Sequence, residues 1–298
     1  MATILIGLLS VKIMMVSSFL HISGILEWGM ILFGIMDGIV HRVVSGTRKQ
    51  SRALFIEERL MLKFRQYMSE EYELQGGSQY GSNPGGIHVH KSTGEKHYIK
   101  YYKNGDQAKV EALTGKIYKH MGIHTLEPEH KTINGKDAVS TKWNEHLHTM
   151  HGRDFEKLNP EQHKQIGKMY HAAILTKNWD IVGLEHDNIM KHSNGNLHAI
   201  DHGGSFHFRA RGSSKDYGPD IAEHKSLRNA DNASGHVFNH VFKKDPEAER
   251  HGLEAVKKID DNHVHKLFKE SGLSNHEELH KNFMARKKAL IDHYEKKT

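Results

Sequence analysis

The sequence predicts an α+β chain of two lobes: a small β-rich N-lobe over 75–145 and a larger helical C-lobe over 146–298. Ahead of them stand an apolar N-terminal segment read as helical (1–44) and a helical linker (45–74). Three observations carry this. Two hairpin signatures flank one helical stretch between 87 and 143. Beyond Trp143 the apolar spacing turns helical. A Lys, a Glu and three metal- or proton-binding residues fall in a fixed order through both parts. At 298 residues the chain is long enough for two lobes with a real core.

The first 44 residues differ from all that follow. "MATILIGLLSVKIMMVSSFLHISGILEWGMILFGIMDGIV" is mostly apolar, interrupted by Lys12, Glu27 and Asp37. A membrane span needs about 20 apolar residues, and 2–20 and 25–41 both sit at that boundary. No basic start or small-residue cleavage site marks a signal peptide. The basic "HRVVSGTRKQSR" that follows would stay cytoplasmic. The stretch therefore reads as a membrane anchor or hairpin, as a buried helical arm, or as an extension upstream of a start at Met61. The expected location is cytoplasmic, with membrane contact if 1–44 is an anchor.

From 45 to 72 the chain is charged and helix-favouring. "QGGSQYGSNPGG" is a glycine-dense loop. "IHVHKSTGEKHYIKYY" reads as two strands around a turn at Thr93-Gly94. "GDQAKVEALTGKIYKHMGI" is a helix stopped by Gly122. "HKTINGKDAVSTKW" is a second hairpin around Asn134-Gly135. "NPEQHKQIGKMYHAAILTKNW" is an amphipathic helix with Ile166, Met169, Ala173 and Ile174 on one side. "NIMKH" and "LHAID" are short strands about an Asn-Gly-Asn turn, and the chain from 221 is mainly polar helix.

Composition narrows the chemistry. There is no cysteine, which excludes disulfides, thiolate metal sites and a Cys nucleophile. With 42 Lys+Arg against 36 Asp+Glu the net charge is +6, too small and dispersed to argue specific nucleic-acid binding. Moving a phosphoryl group requires glycine where backbone N–H groups approach phosphates. It requires a held cation on the phosphates, oxygen ligands for Mg²⁺, and an Asp to orient the acceptor hydroxyl. The chain offers each part in order. "GSNPGG" supplies Gly81, Ser82, Asn83, Gly85 and Gly86; "YIKYY" supplies Lys100; the next helix supplies Glu111. "NWDIVGLEHDNIM" and "AIDHGGSF" then bring Asp180, Asn188 and Asp201.

These segments resemble the protein-kinase-like superfamily over about residues 75–290, in the branch of HipA-type kinases and phosphatidylinositol and actin-fragmin kinases. They look closest to small kinase-like proteins of bacteria and their phages. The resemblance implies a bilobal fold with ATP and Mg²⁺ in the cleft. It implies Lys100 on the nucleotide phosphates and paired with Glu111, Asp180 as catalytic Asp, and Asn188 and Asp201 as metal ligands. "IDHGG" stands where other kinases carry Asp-Phe-Gly. The expected activity is phosphotransfer from ATP to a protein or lipid hydroxyl. A kinase-fold binding module without turnover and a nucleotidyl transferase on the same scaffold are the alternatives.

The sequence departs from the pattern in two places. Eight positions separate Asp180 from Asn188, where five are usual in protein kinases. Either residues 181–186 bulge outward or Asp187 is the working carboxylate. The glycine loop is not a G-x-G-x-x-G and resembles the lipid-kinase style. Rival motifs are weaker. "HEELH" (276–280) matches a zinc-protease helix, but no third ligand stands out and "SNHE" reads as a capping box from Ser274. His88 and His90, and His146, His148 and His151, could take up adventitious metal. "FRARGSSK" (Arg209, Arg211, Lys215) is either a solvated basic loop or a phosphate-binding one. Ser213, Ser214 and Tyr217 beside it are candidate self-modification sites.

Overall fold

Asn134 and Gly135 both take positive φ, 52° and 71°, which is what a two-residue hairpin turn between right-twisted strands demands. That turn joins β5 (Glu129–Ile133) to β6 (Lys136–Lys142). The other predicted hairpin joins β2 (Gly85–His90) to β3 (Lys96–Tyr101), with Gly94 at φ 72° in the turn. The computed structural model describes residues 72–76 and 83–296. The segments 1–44 and 45–71, with their anchor and linker readings, and Gly81 and Ser82 lie outside the described residues. Among the described residues no helix is long and apolar enough to cross a membrane.

The N-lobe is a five-stranded antiparallel sheet in the order β1-β2-β3-β6-β5. Its edge strand β1 (Tyr72–Gly76) corrects the sequence reading, which carried a helical linker through 74. Tyr72 is buried and packs edge-on against His90 and His97, so extension here buries an aromatic that a solvated helix would expose. Strand alternation sends the side chains of β3 to two faces. Ile99 joins Tyr72, Ile133 and Ala138 in one small core. Lys100, paired in register with Gly85 and Val139, takes the opposite face.

On that opposite face lies α1 (Gly105–His120). Asn104 caps it by accepting from Asp106 N, and Gly122, at φ 71°, lets the chain leave it. Ala108 packs with Tyr102 and Val139 under the sheet, while Val110, Leu113, Ile117 and Tyr118 belong to the large C-lobe core. One helix thus touches both lobes. After it, the two-residue β4 (His124–Thr125) pairs in parallel with β9 (Leu197–Ala199) of the C-lobe.

The C-lobe begins with β7 (Leu147–Thr149) and a 3₁₀ turn over Gly152–Lys157. The predicted amphipathic helix is α2 (Pro160–Thr176), opened by an Asn159–Gln162 capping box with Pro160 at its start. Ile166, Met169, Ala173 and Ile174 are fully buried, as the spacing predicts. β8 (Ile189–His192) and β9 form the expected hairpin and join β7 and β4 in a second small sheet. Five helices follow: α3 (Glu223–Ser226), α4 (Ala233–Lys244), α5 (Glu247–Lys257), α6 (Asp261–Glu270) and α7 (His276–Glu295). The expected capping box at Ser274 does not form; Asn275 is the N-cap of α7 and makes no side-chain cap bond. The bilobal α+β prediction matches this architecture.

Candidate active site

Lys100 reaches from the N-lobe to a C-lobe loop. Its Nζ donates to Asp201 Oδ1 at 2.7 Å and stands 3.0 Å from Glu111 Oε2. β3 aims the lysine at α1, α1 presents Glu111 from its buried face, and the turn after β9 presents Asp201. Tyr102 also donates to Glu111 Oε2 and lies beside the Lys100 ammonium. Burial works against the Lys100 charge, but Asp201 and Glu111 outweigh it and hold its pKa well above the ordinary range. Burial likewise works against the Asp201 carboxylate, and Lys100 outweighs it, so Asp201 titrates below its usual range. Both groups are ionised at neutral pH.

Asp201 sits at φ 52°, ψ 68°, a left-handed conformation unusual for a residue with a Cβ. The 3₁₀ turn His202–Gly204 follows at once. A Cβ on Gly203 would lie 2.6 Å from the Tyr102 hydroxyl and 3.3 Å from Glu111 Oε2, so glycine is what lets this loop approach α1. Gln107 fastens the same approach by donating to Gly203 O at 3.1 Å.

Asp180 and Asn188 meet despite their spacing. Asn188 Nδ2 donates to the Asp180 carbonyl at 2.6 Å and to its Oδ2 at 3.3 Å. Ile200 N donates to Asn188 O at 2.9 Å, which ties this loop to the strand end carrying Asp201. Burial raises the Asp180 carboxyl to about 6, and the nearby Asp201 and Asp187 charges push the same way. The outward bulge expected over 181–186 is only partly there. Ile181 and Val182 are fully buried in the C-lobe core, and the exposed part of the loop is Leu184, Glu185 and Asp187. Two apolar side chains between polar loop residues gain more by burial than by solvation. Gly183, at φ 80°, makes the turn, and a Cβ there would strike Asp187 Oδ1 at 2.1 Å.

Of the glycine-loop residues, Gly85 and Gly86 are already in β2, opposite Lys100 and Ile99. Asn83 lies in the bend before them. A groove of about 850 Å³ beside Trp143, Glu129 and His198 contains none of Lys100, Glu111, Asp180, Asn188 and Asp201, though His90 and His146 line it.

In the basic loop after Asp201, Arg209 and Arg211 are exposed and Lys215 turns inward. Lys215 is buried, and its Nζ donates to the carbonyls of Lys177 and Gly204, the latter at 2.7 Å. It thereby staples the loop before Asp180 to the loop after Asp201. Burial lowers its pKa to about 7. Lys215 and Arg209 lie over the Trp179 ring at 4.7 and 5.0 Å. Tyr217 is buried and donates to Leu175 O at 2.8 Å, so it is no modification site; Ser213 and Ser214 are exposed.

Sequence reasoning missed this second layer. Arg286 of α7 is fully buried and donates to Ile174 O, Gly218 O, Asp220 O and Glu223. Glu223 in turn accepts from Trp179 Nε1 at 3.2 Å. An arginine in "MARKK" carries no local signal of such a role. Tyr102 was one residue from the strand that supplied Lys100.

In sequence comparisons no family model matches this chain, and no curated protein does. Solved structures do match. A Helicobacter pylori proinflammatory kinase, CtkA, is 15% identical, with a TM-score of 0.51 over 74% of this chain and 93% of its own. Choline kinase LicA from Streptococcus pneumoniae is 11% identical, with a TM-score of 0.28 over 73% of this chain and 87% of its own. An aminoglycoside phosphotransferase from Alicyclobacillus acidocaldarius is 8% identical, with a TM-score of 0.29 over 75% of this chain and 95% of its own. The first likeness shows a shared kinase-like fold.

Proposed function

We propose that this chain is an ATP- and Mg²⁺-dependent phosphotransferase acting on a protein or lipid hydroxyl. The observation that carries the proposal is the buried Lys100 ammonium held between Glu111 on one helix and Asp201 on the facing loop. A lysine in that position would meet the nucleotide's phosphate oxygens, with Glu111 fixing its direction. Bound Mg²⁺–ATP would supply the transferred phosphoryl group and neutralise its charge. The donor set fits a hard cation: Asp201 is an ionised carboxylate, and Asn188 commits its amide nitrogen to Asp180, which leaves the amide oxygen for metal. Gly81, Ser82, Asn83, Gly85 and Gly86 would cover the phosphates. The lipid-kinase style of the glycine loop, with Ser82 and Asn83 near its tip, supports placing the chain in the HipA-type and phosphatidylinositol-kinase-like branch.

Asp180 is the proposed base. With its carboxyl at about 6 it is mostly ionised at neutral pH yet basic enough to take a proton from an acceptor hydroxyl. Asp187 is exposed and acts in this scheme only through its charge. A transfer assay with γ-labelled ATP and Mg²⁺ tests the proposal. Label appearing on acceptor, and lost in Asp201→Asn, is the expected result. Transfer from α-labelled ATP would instead indicate nucleotidyl transfer, and nucleotide binding without either would indicate a binding module.

A further inference from the structure

The C-terminal helices bring together a ligand set unconnected with the Lys100 site. His265 of α6 faces Glu277 and His280 of α7, and their ligand atoms all lie within 4.8 Å of one another. Glu277 and His280 are three residues apart, so they share one face of α7. The two imidazoles stack with centroids 4.6 Å apart and planes 20° from parallel. His265 Nε2 stands 3.6 Å from Glu277 Oε2. His280 Nε2 is buried without a hydrogen-bond partner, a polar atom whose desolvation nothing in the fold offsets.

We propose that His265, Glu277 and His280 bind a divalent transition ion of the zinc class, pinning α6 to α7. Two imidazole nitrogens and one carboxylate oxygen are a known three-residue set for Zn²⁺, which leaves a fourth position to water. Two nitrogens at about 2.0–2.1 Å from one tetrahedral zinc lie roughly 3.3 Å apart, so rotation of the rings would close the present gap. His276 steadies the set from outside. Its Nδ1 donates to Leu273 O at 2.9 Å, and its Nε2 stands 3.3 Å from Glu277 Oε1. That leaves Oε2 turned toward His265, and Nε2 donates to Oε1 only when the His276 ring is protonated on both nitrogens. The assignment differs from the protease reading of "HEELH", in which His276 and His280 are ligands and the Glu is a base. Here His276 supports, Glu277 ligates, and the third ligand comes from another helix.

The test uses the full chain stripped with chelator and titrated with Zn²⁺ alone, followed by stoichiometry and thermal melting. Adventitious uptake by the many other histidines is common to all variants and cancels in the comparison. His265→Asn and Glu277→Gln change side chains that are 39% and 62% exposed, so both variants should fold. The expected result is one more equivalent of Zn²⁺ in the wild type than in either variant, and a melting temperature raised by Zn²⁺ in the wild type only. Equal stoichiometry and equal thermal response in all three would overturn the proposal.

Discussion

Asp180 titrates near 6 because burial penalises its charge first, and Asp201 and Asp187 add to the penalty. If its carboxylate takes the acceptor's proton, transfer rises with pH through about 6 in a rate–pH profile. Asp187→Asn removes one of the raising charges, so the acid limb should move to lower pH while activity is kept; an unmoved limb would mean that Asp187 does not act on Asp180. The sign of the stability term runs the other way. The folded value lies above the ordinary 3.8, so the folded chain holds the extra proton between the two values. Stability from this group is complete below about 4 and is lost as pH rises through about 6. Asp180→Asn should therefore raise stability at pH 7 by ~1 kcal/mol, discounted for partial exposure, while cutting transfer by about 10²–10⁴-fold. Thermal melts and single-turnover rates on one preparation check both halves. A variant less stable and fully active would place Asp180 as a turn-capping residue.

Elements were legible where local chemistry decides them. Asn134-Gly135 and Thr93-Gly94 announced their hairpins, and α2 showed its Asn cap, its proline and its buried stripe. β1 was missed because "YELQG" has one buried side chain and four exposed ones, which leaves no alternation to read. The inward turn of Ile181 and Val182 was missed because their partners come from the C-lobe core, not from neighbours in sequence. The order of the proposed site residues Lys100, Glu111, Asp180, Asn188 and Asp201 was visible; the Lys215–Lys177 contact and the Arg286–Glu223 pair join residues 38 and 63 positions apart. Close approach of elements was also hidden. Gly167 of α2 and Gly252 of α5 meet where a Cβ on Gly167 would lie 1.7 Å from Ala248 O. Gly167→Ala should destabilise by about 1–3 kcal/mol or more, as overpacking does, and denaturant melts would show it. Gly203→Ala should act at the site instead, pushing the Asp201 loop off Tyr102 and Glu111. Its expected signature is about 10-fold or greater loss of transfer, an estimate for misplaced catalytic groups, with a smaller loss of stability than Gly167→Ala. A Gly203→Ala protein with wild-type turnover would show that the close approach is not needed.

At the scale of the molecule, the fold puts one helix between two cores and makes it the carrier of Glu111. α1 packs under the N-lobe sheet through Ala108 and into the C-lobe through Leu113, Ile117 and Tyr118. Any shift of one core against the other is therefore felt at the Lys100–Glu111 pair, and the kinase-like architecture couples lobe position to the site. The sharpest test of the central claim is the Mg²⁺-dependent transfer of label from γ-labelled ATP by wild type and by Lys100→Met, with folding of the variant verified by its melting transition. Lys100→Met keeps an unbranched side chain one atom shorter and removes the charge, so the loss expected is about 10²–10³-fold or more, on the scale of one preorganised electrostatic contact. Label moved by the wild type and lost in a folded Lys100→Met protein is the result this account predicts. Equal transfer by both proteins would contradict it.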